Sequence, residues 1–272
     1  MKLSLLIIDG MNLLRRVFEA NDAQDSALKA DQACSAALHT FKRAVTGTPD
    51  FTPTYAVAVF DADGQNWRHT LYADYKAHRE PMSPYLRAAL PEFQTRLKEV
   101  LGLSSLTIAG VEADDVIATL VARWTQDGTT LPGPVVVSSN DKDLFSLSQY
   151  GVRFLDVFKR EVRTREDIEI KLGVTAAQIP DYLALMGDAV DGVPGVPRVG
   201  AKTAATLLQE HGSLASILTA AAEGRIKGKL GESLKTFDDQ ALLSRALVAL
   251  RTDVTLGVSW KMLKLEVAHA DI

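Results

Sequence analysis

LSLLIID, residues 3–9, is an apolar run that stops on a carboxylate, and the same pattern returns in YAVAVFD at 55–61 and VVVSSND at 135–141. Apolar runs with little polar alternation suit strands covered on both faces, the setting of a parallel sheet. Further strands are expected at 106–109 and 152–155, with helical spacing at about 27–45, 83–101 and 113–126 between them. Strand, helix, strand order makes a doubly wound, mainly parallel α/β sheet. Side chains at the carboxyl ends of such strands converge on one crevice. Asp9, Asp61 and Asp141 are therefore expected there, joined by Glu112, Asp114 and Asp115 in EADD, Asp143 in NDKD, and Asp188 and Asp191 in GDAVDG.

Nine acids in one crevice need cations. Two carboxylates about 4 Å apart repel by roughly 1 kcal/mol even at the dielectric of water, and by more when partly buried. A donor set of oxygens without His or Cys selects hard ions, Mg²⁺ or Mn²⁺, and so a metal-dependent phosphate chemistry. Each acid has a plainer reading. EADD also reads as a charged first turn set against a helix dipole, and Asp141 as a helix N-cap. Three acids in four residues after LTIAG, and two on alternate positions at a strand end, favour ligation, although Lys142 is an equal candidate partner for Asp143 or Asp141. On a helix, residues three apart share a face, so Glu112 and Asp115 are expected to point together into the crevice while Asp114 approaches from the side. Asp61, directly ending its strand, is preferred to Asp63.

The chain has 272 residues, 47% of them hydrophobic, enough for a large domain and a small one. The single cysteine, Cys34, excludes an internal disulfide and fits a reducing cytoplasm. The apolar run before Asp9 is too short for a signal peptide or a membrane span, so a soluble intracellular protein is expected. The net charge is −4; with the nine crevice acids neutralised by metal, the remainder of the chain stands at +5, which suits a phosphate-rich partner.

Beyond residue 170 the pattern changes to short helices, near 175–186, 200–211, 213–222 and 232–250, punctuated by GVPGVPRVG and GRIKGKLG. The expected organisation is an α/β domain over 1–170, a helical domain over 171–255, and a tail over 256–272 packed back on the body. In GVPGVPRVGAKTAATLL, Gly195 and Gly200 permit the positive φ of a tight hairpin, and free N–H groups at the following helix start, with Lys202, are able to hold a phosphate. Such contacts read backbone and not bases. Residues 64–82, GQNWRHTLYADYKAHREPM, have no clear period and read as a flap beside the acids. Within it Lys76 and Arg79 can meet one phosphate, and Tyr72 and Tyr75 are candidates for stacking on unpaired bases or for packing.

Together IIDGMNLL, AVAVFDADG, DYKAHR, AGVEADDVIATL, SSNDKDLFSL and GDAVDGVPGVPRVGAKTAATLL, spread over residues 7–208, resemble the 5′ nucleases: flap endonucleases, phage 5′ exonucleases and the 5′-nuclease domain of bacterial DNA polymerase I. No polymerase portion is present, and the chain is most similar to the stand-alone bacterial enzymes. The resemblance implies a PIN-like core and a helix-hairpin-helix DNA-binding domain in a monomer acting on DNA with a free 5′ end or 5′ flap. It implies one metal site lined by Asp9, Asp61, Glu112, Asp114 and Asp115, with Asp115 central to catalysis, and a second completed by Asp141, Asp143, Asp188 and Asp191. Some stand-alone members have lost part of the second set; Asp188 and Asp191 are both present here. Lys76 and Arg79 would stabilise charge on the scissile phosphate. Gly195, Arg198, Gly200 and Lys202 would hold the duplex, around a K⁺ ion on the main-chain carbonyls of Val193, Val196 and Val199. Arg198 stands where the family usually has Gly.

Two other classes fit parts of the pattern. FDADG, VVVSSN and GDAVDG imitate haloacid-dehalogenase-type phosphatases, with Asp61 as a phosphorylated nucleophile, but this leaves Asp9, EADD and the hairpin without a role. A DNA-binding relative with decayed catalysis is the nonenzymatic reading, against which the full acidic set stands.

Overall fold

The computed structural model describes residues 3–125 and 133–265. The strands are β1 (Leu5–Asp9), β2 (Tyr55–Phe60), β3 (Ser104–Thr107), β4 (Val135–Ser138), β5 (Arg153–Asp156) and β6 (Glu161–Arg163), in the sheet order β3-β2-β1-β4-β5-β6. β6 is antiparallel to β5 and the other pairings are parallel. The chain crosses from one wing to the other between β1 and β4, and this switch point opens a crevice at their carboxyl ends.

Alternate strand residues enter two cores. Leu5, Ile7, Val57, Val59, Val135 and Val137 face one side, where α5 (Ala113–Thr125) contributes Val116, Ile117, Leu120 and Val121. Leu6, Ile8, Ala58, Phe60 and Val136 face the other, against α1 (Gly10–Glu19), α2 (Ala27–Thr46) and α4 (Pro84–Leu101). Both faces being covered explains why the strands lack polar alternation. Ser26 and Ser83 cap α2 and α4, Pro84 opens α4 where no N–H is required, and Gly102 closes it at φ +63.

The first core continues into the helical part. This comprises α6 (Arg165–Leu172), α7 (Ile179–Met186), α8 (Ala201–His211), α9 (Leu214–Ala222), α10 (Gly228–Thr236) and α11 (Asp238–Leu247). Several expectations change. α1 follows β1 directly, and α3 (Trp67–Leu71) lies inside the segment that shows no period. The helix expected over 232–250 is two helices meeting at Phe237, whose φ −116, ψ 28 is not helical. β3 begins two residues before its expected start, and the edge strand β6 follows a turn at Arg160.

Residues 251–265 return along α5: Arg123 donates to the Val254 carbonyl at 3.1 Å, and the Leu265 N–H donates to the Thr54 carbonyl at 3.0 Å. The expectation for 266–272 lies outside the described residues. Among the described residues no helix is long and apolar enough to cross a membrane.

Candidate active site and nucleic-acid interface

Asp9, Asp61, Asp114 and Asp141 line one cavity of about 910 Å³ together with Lys76 and Arg79. Asp9 ends β1 and caps α1, accepting the Asn12 N–H at 3.0 Å and the Ser139 hydroxyl at 2.8 Å. Burial outweighs both bonds, and with Asp61 and Asp141 nearby raises Asp9 to about 7. Asp61 accepts the Ala113 N–H at 2.8 Å and so stands at the start of α5. Asp63 instead pairs with Arg87 at 3.2 Å on the surface and does not line the cavity. Burial, then Asp141 and Asp9, pushes Asp114 well above the usual carboxylate range. Burial also raises Asp141, partly offset by the Asp143 N–H it accepts.

Beside this cavity, ligand oxygens of Asp143, Asp188 and Asp191 lie within 4.8 Å of one another. The loop carrying the last two is closed by mutual bonds between Asp188 and Val193, 2.8 Å each way. Burial first, then the charges of Asp141, Asp191 and Asp188, raises Asp143 to about 8. Its Oδ1 is buried with no hydrogen-bond partner. Clustered acids, an oxygen-only donor set and an orphaned carboxylate oxygen fit hard divalent cations. Lys142 turns out to pair with Asp188, at 2.9 Å.

Tyr75, Lys76 and Arg79 come from the segment after α3. Lys76 adopts φ +55, and its N–H donates to the Asp191 carbonyl at 2.8 Å. This brings its Nζ to Glu112 and within 3.8 Å of Asp191, while Arg79 pairs with Asp191. Burial would lower the Lys76 amine, but Glu112 and Asp191 overcome it and hold the amine above its ordinary value. Glu112 is held low despite burial by Lys76 and Arg68. Gly192, at φ +70, makes the approach possible: a Cβ there would lie 2.8 Å from the Asp74 carbonyl oxygen. Tyr75 is buried and donates its hydroxyl to Glu112 at 3.0 Å, so it is a packing group and not a platform for bases.

Asp115 departs from expectation. Glu112, just before α5, and Asp115, in its first turn, do point the same way, but onto Arg68, whose Nη1 lies 3.1 Å from Glu112 and 2.8 Å from Asp115. Asp115 is fully buried and also accepts from Arg68 Nη2, Trp67 Nε1 and the Arg251 N–H, each at 2.9 Å. Its oxygens are saturated and it does not line the cavity, so neither a ligand nor a catalytic role follows from its position. Arg68 completes the node with bonds to the Leu247 and Ala249 carbonyls at 2.7 and 2.8 Å. Sequence reasoning gave Arg68, inside the aperiodic 64–82 segment, no role of its own and missed Ser139 altogether; a lone Arg in such a segment gives no sign of burial.

In the hairpin, Gly195 takes φ +64, but Gly200 is extended at φ −93, and the left-handed position falls on Arg198 at φ +71. The Gly195 N–H donates to Ser244 at 3.0 Å and its carbonyl accepts from Gln240 at 2.7 Å, so this residue is not free for a phosphate. Gly200 brings no side chain to cap α8, whose first turn stands beside exposed Arg198 and Lys202. Those N–H groups and two cations form the remaining anion-binding feature. The Val193 and Val196 carbonyls already accept the N–H groups of Asp188 and Val199.

The model of the 5′-3′ exonuclease N-terminal resolvase-like domain matches residues 4–173, and that of the 5′-3′ exonuclease C-terminal SAM fold matches residues 174–271. Flap endonuclease Xni of Shewanella sediminis is 36% identical over 266 residues, covering 96% of this chain and 97% of the relative. Flap endonuclease Xni of Psychromonas ingrahamii is 33% identical over 266 residues, with 96% and 97% covered. Among solved structures, the T5 D15 protein co-crystallised with metal ions superposes with a TM-score of 0.69 at 21% identity over 90% of this chain and 88% of its own, a likeness of fold. With both domain models matched end to end along one chain, this protein is a member of the 5′-3′ exonuclease family.

Proposed function

We propose that this chain hydrolyses phosphodiester bonds in DNA bearing a free 5′ end or a 5′ flap, using Mg²⁺ or Mn²⁺. The observation that carries the reading is the joining of Asp9, Asp61, Asp114 and Asp141 with Lys76 and Arg79 in one open cavity. Relatives named flap endonuclease, alike over nearly their whole length, point to the same substrate. Membership of the family leaves no place for the phosphatase alternative, and Asp61 is bonded to the start of α5.

Asp9, Asp61, Asp114 and Asp141 would hold one ion, with Glu112 at its margin, and Asp143, Asp188 and Asp191 a second. Bound divalent ions supply acidified water and neutralise phosphate charge. The chain's own residues do the rest. Lys76 Nζ and the Arg79 guanidinium, held at the mouth by Glu112 and Asp191, are placed to offset charge developing on the transferred phosphate. Ser139 fixes the rotamer of Asp9. The first turn of α8 with Arg198 and Lys202 grips duplex backbone without reading bases. K⁺ on the carbonyls of Val193, Val196 and Val199 would have to share two of them with existing bonds. The setting we assign is the cytoplasm.

The test is cleavage of a 5′-flap duplex labelled on the flap strand, with Mg²⁺ and with chelator, followed by product mapping. Ion-dependent 5′-phosphate products near the junction support the assignment. Equal product with chelator, or cleavage only from 3′ ends, overturns it. Exchange of K⁺ for Na⁺ in the same assay, with weaker duplex binding expected, tests the hairpin ion.

A further inference from the structure

Arg68 stands behind the cleavage cavity: its side chain is buried and does not line the space that Lys76 and Arg79 enter. Its guanidinium is bound on every side. Nε donates to the Leu247 carbonyl at 2.7 Å, Nη1 to Asp115 at 2.8 Å, and Nη2 to Asp115 at 2.9 Å and to the Ala249 carbonyl at 2.8 Å. α11, which ends at Leu247, is itself held in place. Its Ser244 accepts the Gly195 N–H, its Gln240 donates to the Gly195 carbonyl, and its Arg245 donates to Asp181 of α7 at 2.6 Å.

One carboxylate suffices to neutralise Arg68, and Asp115 does so through two bonds. The second carboxylate in reach, Glu112, is the one that leads to the cavity. Its Oε2 lies 3.1 Å from Arg68 Nη1 and accepts the Tyr75 hydroxyl at 3.0 Å, which fixes the direction of Oε1. Oε1 accepts from Nζ of Lys76, and Lys76 does line the cavity. The Lys76 backbone is anchored separately, by its N–H on the Asp191 carbonyl, so Glu112 decides only the aim of the amine. We propose that Arg68 is a positioning residue for phosphodiester cleavage: by fixing Glu112 from behind, it sets where the Lys76 amine stands relative to the transferred phosphate. A planar fork of five donors can serve two carbonyls and two carboxylates at once; a lysine, with one nitrogen on a flexible stem, cannot. The inference rests on the role proposed above for Lys76.

Single-turnover cleavage of the 5′-flap duplex over a range of enzyme concentrations tests it in Arg68→Lys, Lys76→Ala and the double variant, beside thermal unfolding of each. Arg68→Lys keeps a cation for Asp115 and should remain folded. Its rate at saturation should fall about 10–100-fold, with a smaller change in the concentration giving half the rate, as for a displaced reacting group. In the Lys76→Ala background the same replacement should lower the rate by no more than about twofold, because the group it acts through is gone. A merely structural role lowers the rate equally in both backgrounds. If Arg68→Lys does not fold, Arg68→Met joined to Asp115→Asn removes both buried charges together, a change that proteins often tolerate, and enters the same cycle. Full rate in the Arg68 variant, or an equal fall with and without Lys76, overturns the proposal and leaves the nuclease assignment standing. No cleavage by the unaltered chain removes that assignment and this inference with it.

Discussion

The guanidinium of Arg68 meets the carboxylate of Asp115 along two hydrogen bonds, 2.8 and 2.9 Å long, in a space closed to solvent. The same Arg68 reaches the carbonyls of Leu247 and Ala249, so one buried cation ties the flap segment to α5 and to the end of α11. Its neighbour Asp114, one residue from Asp115, faces the cavity and is strained by like charge.

Adjacent acids should therefore respond in opposite ways. Asp115→Asn leaves Arg68 short of its partner and should cost about 3–5 kcal/mol of stability, the usual loss when half of a buried pair is removed. Asp114→Asn relieves repulsion and should leave stability equal or higher while cleavage falls by orders of magnitude. Urea unfolding beside a flap-cleavage assay decides it. A stable but inactive Asp115→Asn would return that residue to the cleavage site.

Acidity should couple to divalent ions. Asp9 and Asp143 titrate near 7 and 8 in the folded chain against an ordinary 3.8. Between those limits the folded chain holds protons that the unfolded chain has released, so without ions stability falls as pH rises through the window and levels off above it. Divalent ions need the ionised carboxylates, so their stabilisation should grow across the same window. Thermal midpoints at about pH 5 and pH 8, each with chelator and with Mg²⁺, measure both effects. A midpoint that rises with pH in chelator contradicts the account.

Lys76→Ala removes a cation without touching the carboxylates proposed to hold metal. We expect kcat to fall about 10²–10³-fold with a smaller change in KM, as for loss of one group that stabilises transition-state charge. Single-turnover kinetics separate the two, and an effect confined to KM would make Lys76 a binding residue only.

Gly192→Ala should displace the flap segment. The position demands φ +70, and the new Cβ would press on the Asp74 carbonyl oxygen 2.8 Å away. A left-handed non-glycine residue alone costs about 1–2 kcal/mol. Cleavage should fall although no acid or cation has changed; full activity in this variant would show that Lys76 does not depend on the contact.

At the hairpin, Lys202→Glu should weaken duplex binding and reduce the slope of log affinity against log salt by about one or more. Binding isotherms at several salt concentrations measure it. An unchanged slope removes Lys202 from the phosphate contacts.

Much of this was readable along the chain. β1, β2 and β4 lie where unbroken apolar runs demand them, and Asp9, Asp61 and Asp141 meet because parallel strands deliver their ends to one edge. α1 was not readable, because GMNLLRRVFE is short and starts on Gly, and its start depends on the cap from Asp9. The break at Phe237 carries no Gly or Pro to announce it. In the hairpin, positive φ fell on Arg198 and not on Gly200, since glycine permits that conformation without requiring it.

By itself the sequence determined the layered sheet, the gathering of its strands' acidic ends at one edge and the common face of Glu112 and Asp115 at the start of α5. Those follow from local periodicity, which is a property of neighbours along the chain. Only the tertiary structure decided which way that face turns. Arg68, 47 positions from Asp115, arrives from a segment without a pattern, and a buried carboxylate is settled by whichever cation can be desolvated beside it.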